Sequence, residues 1–383
     1  MEGIGFVLSV LLGLFLLVFL VVIHELGHAI VAKRNGVVVE EFGVGFPPRA
    51  WEKKLKNGVL FTLNWLPLGG FVKLQGEHDA ANKKGDYGAA SLWAKTKILL
   101  AGVFINWAFA VLIFTGLALS GLPKVIDNQY TVKSDTTEIR KPVSIASVTP
   151  GSPADKAGLE KGDAMIRFAG QPLDQPSDLS ALTQKYKGQS VEMIYRRGGS
   201  EKIVRLTLRA ANEDSKGYLG VSAEQRTTYR STWSAPIVGV ALTGQLAKAT
   251  LQGLGDMVVK LGSGIIEKLN PSTQSQANEK LSAVGTGVAG PLAILGILFP
   301  SASEAGPSAI LFMTGLISLA LAIMNILPIP ALDGGRWFVT VLFRLMKKPL
   351  DKELEEKIHG TGFMILMALF VLVTIADVTK FTR

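Results

Sequence analysis

Apolar and polar positions are sorted into long blocks along this chain. Residues 4–23, IGFVLSVLLGLFLLVFLVVI, run without one charge. About 20 apolar residues suffice for a helix to cross the hydrocarbon core of a bilayer, so this block predicts a membrane span. Similar blocks at 98–120, 308–330 and 361–378 predict three more. The first block has no basic leader, with Glu2 its only early charge. It is longer than the apolar part of a secretory signal, and no small-residue cleavage site follows it. It reads as a retained span.

Between the blocks the periodicity changes. Residues 140–222 alternate short β-like runs with turn signals. Pro153 suits the start of a short helix capped by Ser152. SDLSALTQKY predicts a second helix capped by Ser177 or Asp178, and Gly198-Gly199 a hairpin turn. About five strands and two helices make a small α+β module. Residues 236–270 carry apolar positions at helical spacing with scattered lysines, which predicts an amphipathic helix along the membrane. The segment 283–300 is apolar but broken by glycine and proline, as in a short or re-entrant piece. VLFTLNWLPLGGFVKLQG, at 59–76, reads as a β-hairpin turning at Gly69-Gly70, with an edge that could pair with an extended chain. The fold class expected is thus an α-helical polytopic membrane protein. It has about four transmembrane helices, a membrane-associated β-hairpin and an inserted α+β domain.

Composition narrows the function. Of 383 residues, 48% are hydrophobic and 19% charged, with a net charge of +9. The basic residues cluster beside the apolar blocks, as expected at the anionic cytoplasmic face of a membrane, and no motif for binding nucleic acid is present. Lys33, Arg34, Arg49, Lys53, Lys54 and Lys56 follow the first span, and Arg336, Arg344, Lys347 and Lys348 separate the last two. Both connections are expected in the cytoplasm and the long 121–307 region outside. The chain has no cysteine, so disulfides, a thiolate nucleophile and cysteine metal ligands are excluded.

The first apolar block ends in HELGH. On a helix, positions four apart share a face, so His24 and His28 can hold one metal ion with Glu25 beside them as general base. Ionisable groups on an apolar helix cost roughly 2.5–3.5 kcal/mol each near the bilayer centre on insertion scales, so they call for a compensating role. Catalytic zinc usually takes three protein ligands and keeps a position open. The third is then His78, His359 or a carboxylate. Asp333, in NILPIPALDGGRW, has the best context, because it follows an apolar span on the same membrane side as His28. Read alone, Asp-Gly-Gly after Pro328 and Pro330 would be a turn.

Together, HELGH and NILPIPALDGG on separate spans resemble the site-2 protease family of intramembrane zinc metalloproteases. VTPGSPADKAGLEKGDAMIRFAGQPL resembles a PDZ domain, which makes the chain similar to the bacterial regulator-of-sigma-E protease group with a single such domain. The resemblance implies one Zn2+ per chain on His24, His28 and Asp333, and Glu25 as the base that activates the attacking water. It also implies that Asn325 holds the substrate backbone and that Gly69, Gly70 and Phe71 lie where the family's β-structure meets substrate. Two departures are visible: Val103 stands where relatives often have proline before Asn106, and Ala320 where many have a further asparagine.

The expected layout is 1–120 for two spans with HELGH and the cytoplasmic hairpin, and 140–222 for the PDZ-like extracytoplasmic domain. An amphipathic or re-entrant extracytoplasmic segment at 236–307 and the last two spans with LDGG at 308–383 complete it. The resemblance implies a multi-pass protein of the bacterial inner membrane with its active site toward the cytoplasm. Its partners would be the lipid bilayer and single-pass transmembrane proteins already cut by another protease, such as anti-sigma factors or signal-peptide remnants, and not nucleic acid. The competing function is a non-catalytic membrane scaffold that binds partners through the PDZ-like domain.

Overall fold

The first apolar block and HELGH form one continuous helix, α1, Gly3–Arg34, because no proline interrupts them. It ends on Lys33 and Arg34, whose charges suit a helix C-terminus, and on Gly36 at φ 80°. The Val37 N–H reaches back to the Ala32 carbonyl at 3.0 Å, closing the last turn. A computed structural model describes residues 3–212, 217–268, 274, 275, 280 and 289–381. The chain divides into two units, Met1–Leu117 with Pro236–Arg383, and Ala118–Ala235.

In the first unit, strands β1, Val39–Lys54, and β2, Leu60–Leu74, form an antiparallel hairpin. Its turn is at Leu55–Val59, where Gly58 takes φ 87° and the Leu55 N–H bonds the Val59 carbonyl at 2.8 Å. The hairpin tip thus precedes the expected Gly69-Gly70, near which the chain instead folds back: residues 42–44 pair with 61–63 in the parallel sense and with 70–72 in the antiparallel sense. Both glycines lie within β2, and Gly70 faces Val44 across the ladder. Gly69, at φ 100°, marks an irregularity of the strand, where a side chain would meet the Phe46 ring. Trp51, Trp65 and Leu66 are exposed on this hairpin.

Helix α2, Leu92–Ser120, is the second apolar helix. Two more are Pro307–Ile326 and Lys352–Phe381, so four helices are long and apolar enough to cross a membrane. The third stops at Ile326, short of the expected 330, because Pro328 and Pro330 cannot continue it. Between the last two lies an amphipathic helix, Asp333–Leu345, where the sequence suggested only a connection. Helix Ala235–Lys268 occupies the expected amphipathic segment. Of the region 283–300, residues 283–288 lie outside the described residues. Pro291–Ala305 is helical, with a π-helical turn at Ile294–Leu298. Asp377 caps its start, accepting from the Gly290 and Ala293 N–H groups at 3.1 and 2.9 Å.

One ridge of α1 holds this unit together. Leu20 packs with Phe299 and Ile317. At Gly13 a side chain would strike Phe299, and at Gly27 the Ala101 carbonyl, so the ridge of small residues lets neighbouring helices approach its backbone.

The second unit contains a six-stranded sheet of Ser144–Val148, Ala164–Phe168, Gln171–Pro172, Ser190–Arg197, Ser200–Thr207 and Val221–Glu224. Ile145, Met165, Phe168 and Met193 are fully buried in its core. Helix Pro153–Lys156 has Ser152 as its cap. Helix Pro176–Lys185 is capped by Gln175, a correction to Ser177 or Asp178. Asp178 sits three residues on and accepts from the Gln175 N–H at 2.9 Å. The strands at 190–207 turn at Gly198-Gly199 as expected, both with positive φ. A separate three-stranded sheet joins Leu122–Pro123, Thr137–Arg140 and Thr227–Arg230. It had no signal in the sequence, because its strands are two to four residues long.

Candidate metal centre

Helical spacing puts His24 and His28 on the buried face of α1, with ring centroids 4.8 Å apart. Asp333 is the first residue of its helix. It is carried there by residues 327–332, a non-helical bend whose two prolines end the preceding helix and whose Leu332 N–H closes a turn on the Ile329 carbonyl at 3.1 Å. Gly334 and Gly335 make this junction possible: a Cβ at 334 would lie 2.2 Å from the Ile326 oxygen, and at 335 only 1.9 Å from the Ile329 oxygen. The two glycines after the aspartate thus serve a close backbone crossing.

Three donor atoms converge. His24 Nε2 is 3.0 Å and His28 Nε2 3.2 Å from Asp333 Oδ2, and the two nitrogens are 3.2 Å apart. Two imidazole lone pairs and a carboxylate oxygen aimed at one point repel each other unless a cation lies between them. Zinc bonds of about 2.0–2.1 Å in a tetrahedron imply ligand–ligand edges of about 3.3–3.4 Å, close to this triangle. A Cβ on Gly102 of α2 would lie 2.5 Å from His28 Nε2 and 2.7 Å from His24 Nε2. The missing side chain leaves open the space in front of both nitrogens. Donor set, spacing and open face all fit zinc. Among the described residues, this is the one group of three or more His, Asp or Glu side chains arranged to share an ion.

The surroundings orient these candidate ligands. The His28 Nδ1–H donates to the Ile98 carbonyl at 2.7 Å, which leaves the Nε2 lone pair for the metal. The amide of Asn106, wholly buried, faces His24 Nδ1 at 3.4 Å. Glu25 is half-buried and borders two cavities. One, of about 470 Å3, is also lined by His28, Phe71, Tyr87 and Arg336. The other, of about 200 Å3, is lined by His24, Asn106, Asn325 and Asp333.

The remaining expected residues divide. Phe71 lines the larger cavity, and a Cβ on Gly70 would lie 3.5 Å from the Glu25 side chain, so β2 runs past the site. Gly69 instead abuts Phe46. Asn325 borders the smaller cavity while donating to the Leu321 carbonyl of its own helix at 3.0 Å. His78 is paired with Glu356 at 3.7 Å, and His359 accepts the Ala331 N–H at 3.2 Å. Neither belongs to the triad. Arg336 was read only as an orienting charge. It forms part of the cavity wall, with its guanidinium 3.1 Å from Glu77 and its plane over Tyr87. Burial opposes its charge, but the Glu77 carboxylate outweighs this and raises its pKa. Its spacing, one helical turn after Asp333, was the signal available.

Compared with known proteins, residues 12–369 match the family described as Peptidase family M50. The chain belongs to that family. A Clostridium perfringens protein named as a zinc metalloprotease is 31% identical over 94% of this chain and 95% of its own length. Zinc metalloprotease RasP of Geobacillus kaustophilus is 25% identical over 96% of this chain and 97% of its own. Among solved structures, the PDZ domain of an SdrC-like protein of Listeria monocytogenes is 20% identical, covers 24% of this chain and 93% of its own, with a TM-score of 0.20. This M50 protein is therefore a site-2 type zinc metalloprotease and a multi-pass membrane protein that acts on membrane proteins in the bilayer.

Proposed function

We propose that this M50 protein hydrolyses a peptide bond within or beside the membrane-spanning segment of single-pass membrane proteins, after another protease has trimmed them. The observation that carries the reading is the meeting of His24 and His28 of an apolar helix with Asp333, next to Glu25 and between two cavities. His24, His28 and Asp333 hold the zinc, which supplies a Lewis acid for the scissile carbonyl and for water at neutral pH. Glu25 takes the proton of the attacking water and returns it to the leaving amine. A helical substrate hides its carbonyls in its own hydrogen bonds, so it must unwind locally before attack. Asn325, released from Leu321, can donate to a freed carbonyl. Gly70 and Phe71 bring the backbone of β2 beside Glu25, where an extended substrate can pair with it, and Gly69 shapes that strand.

In this reading the active site belongs toward the cytoplasm and the 140–222 module outside, an orientation supported by the lysines and arginines flanking the spans, and the family resemblance supports a bacterial inner membrane. The test is to follow cleavage of a model single-pass substrate by the purified chain and by Glu25→Gln. The expected result is a loss of about 10²–10⁴-fold with zinc retained. Cleavage by Glu25→Gln at the unaltered rate rejects the role of Glu25. Failure to cut an extended soluble peptide, together with cleavage of the membrane-embedded substrate, supports the substrate class.

A further inference from the structure

Both ligand histidines face one ridge of α2. Ile98, Gly102 and Asn106 recur every four residues and so lie on one face of that helix. Ile98 gives its carbonyl to His28 Nδ1, and Gly102 leaves room before the two Nε2 atoms. Asn106 presents its amide to the remaining ring nitrogen, His24 Nδ1.

As placed, the Asn106 Nδ2 faces His24 Nδ1, and its Oδ1 is buried with no partner. An imidazole that binds metal through Nε2 keeps its proton on Nδ1, so donor would then face donor. The oxygen and nitrogen of an amide are set by the hydrogen-bond network and exchange on a half-turn of the group. The half-turn puts Oδ1 where it accepts from His24 Nδ1–H. Nδ2 then takes the place in which Oδ1 finds no partner. Asn106 lines the smaller cavity, so water or a substrate carbonyl can accept from it there. The backbone is held in place by Ser318, whose hydroxyl donates to the Asn106 carbonyl at 2.8 Å.

We propose that Asn106 is a positioning residue for the zinc centre: its side-chain oxygen accepts the His24 Nδ1 proton and fixes that ring with Nε2 toward the metal, as the Ile98 carbonyl does for His28. The inference rests on the metal site of the preceding section. It adds that α2, which supplies no ligand, sets the tautomer of both histidines. Outer partners of this kind alter metal affinity by about 10–100-fold when removed.

The experiment measures zinc affinity of the full-length chain in detergent by competition with a chelator, for the unaltered protein, Asn106→Leu and Asn106→Asp. Leucine keeps the volume and removes the acceptor; aspartate keeps the acceptor. The expected result is zinc binding about 10–100-fold weaker for Asn106→Leu and no weaker than unaltered for Asn106→Asp. Thermal unfolding of the zinc-free forms separates this from a loss of packing. Equal affinity for Asn106→Leu overturns the proposal, as does an equal loss in both variants. Nitrogen-15 shifts of histidine-labelled, zinc-loaded protein give a second reading that needs no variant. Protons on Nδ1 of both ligand rings support the proposal, and His24 metallated through Nδ1 overturns it. The metal site itself fails by a different result: no zinc on the unaltered chain, or zinc retained by His24→Ala.

Discussion

Asp333 Oδ2 stands 3.0 Å from His24 Nε2, across 309 positions of sequence. The candidate metal centre is therefore a tertiary object, closed by packing the Asp333–Leu345 helix against α1 and α2. Trp337 takes part in that closure, donating from Nε1 to the Thr96 hydroxyl at 3.0 Å.

Removing the distant ligand should uncouple the metal from the motif. Asp333→Ala leaves HELGH intact and is expected to lower zinc content from about one per chain to a small fraction, with proteolysis lost. Elemental analysis of protein passed over a mild chelator checks it. Full zinc content in that variant would place the third ligand elsewhere.

Gly102→Ala is a one-carbon test of the open face. Its Cβ would fall 2.5–2.7 Å from the two donor nitrogens, too close to coexist with a metal there. Zinc binding should weaken by more than about tenfold, beyond the roughly 1 kcal/mol by which alanine usually favours a helix over glycine. Equilibrium dialysis against zinc reads the change.

Lys95 is wholly buried, paired with Asp79, and its ammonium lies 5.4 Å from the Tyr87 ring centroid. Lys95→Met leaves the Asp79 charge without its chief partner. Breaking one side of a buried pair costs about 3–5 kcal/mol. The expected outcome is a lower denaturation midpoint in detergent. Adding Asp79→Asn should recover part of the loss.

In the second unit, Asp163 is buried and held by Arg197 through contacts of 2.6 and 2.7 Å. Burial raises its pKa, but the Arg197 hydrogen bonds prevail and lower it below the ordinary carboxylate value. A lowered native value means that the pair stabilises the fold above about pH 4, the unfolded value. That stabilisation disappears as pH falls through the native value. Opening of residues 143–208, read as amide exchange relative to the intrinsic rate at each pH, should therefore quicken on acidification. In Asp163→Asn it should be faster at neutral pH and change less with acid.

Much of the site was legible because its chemistry is local. His24, Glu25 and His28 lie within five residues, and their cost in an apolar run marks them. Asp333 was readable from its motif and its membrane side. The amphipathic helix it begins was not, because Asp-Gly-Gly after two prolines carries the local signature of a turn. The hairpin was misplaced for a similar reason. Gly69-Gly70 is a stronger local turn signal than Lys56-Asn57-Gly58, and only the pairing with β1 shows that the hairpin tip is at the latter while the chain folds back on itself just before Gly70. The contributions of Ile98, Gly102 and Asn106 could not be read from residue type: a carbonyl, an absence of side chain and an amide acquire meaning only when α2 lies against α1.

Ala331 adopts φ 81°, rare for a residue with a side chain, and its N–H is received by His359 of the last helix. At Gly362, one turn on, the Pro330 oxygen would sit 2.4 Å from any added carbon. The final helix thus acts as a clamp on an otherwise unfavourable bend two residues ahead of Asp333. Shortening or prying away the C-terminal helix should disarm the protease at a distance, with His24, Glu25, His28 and Asp333 still in place along the chain.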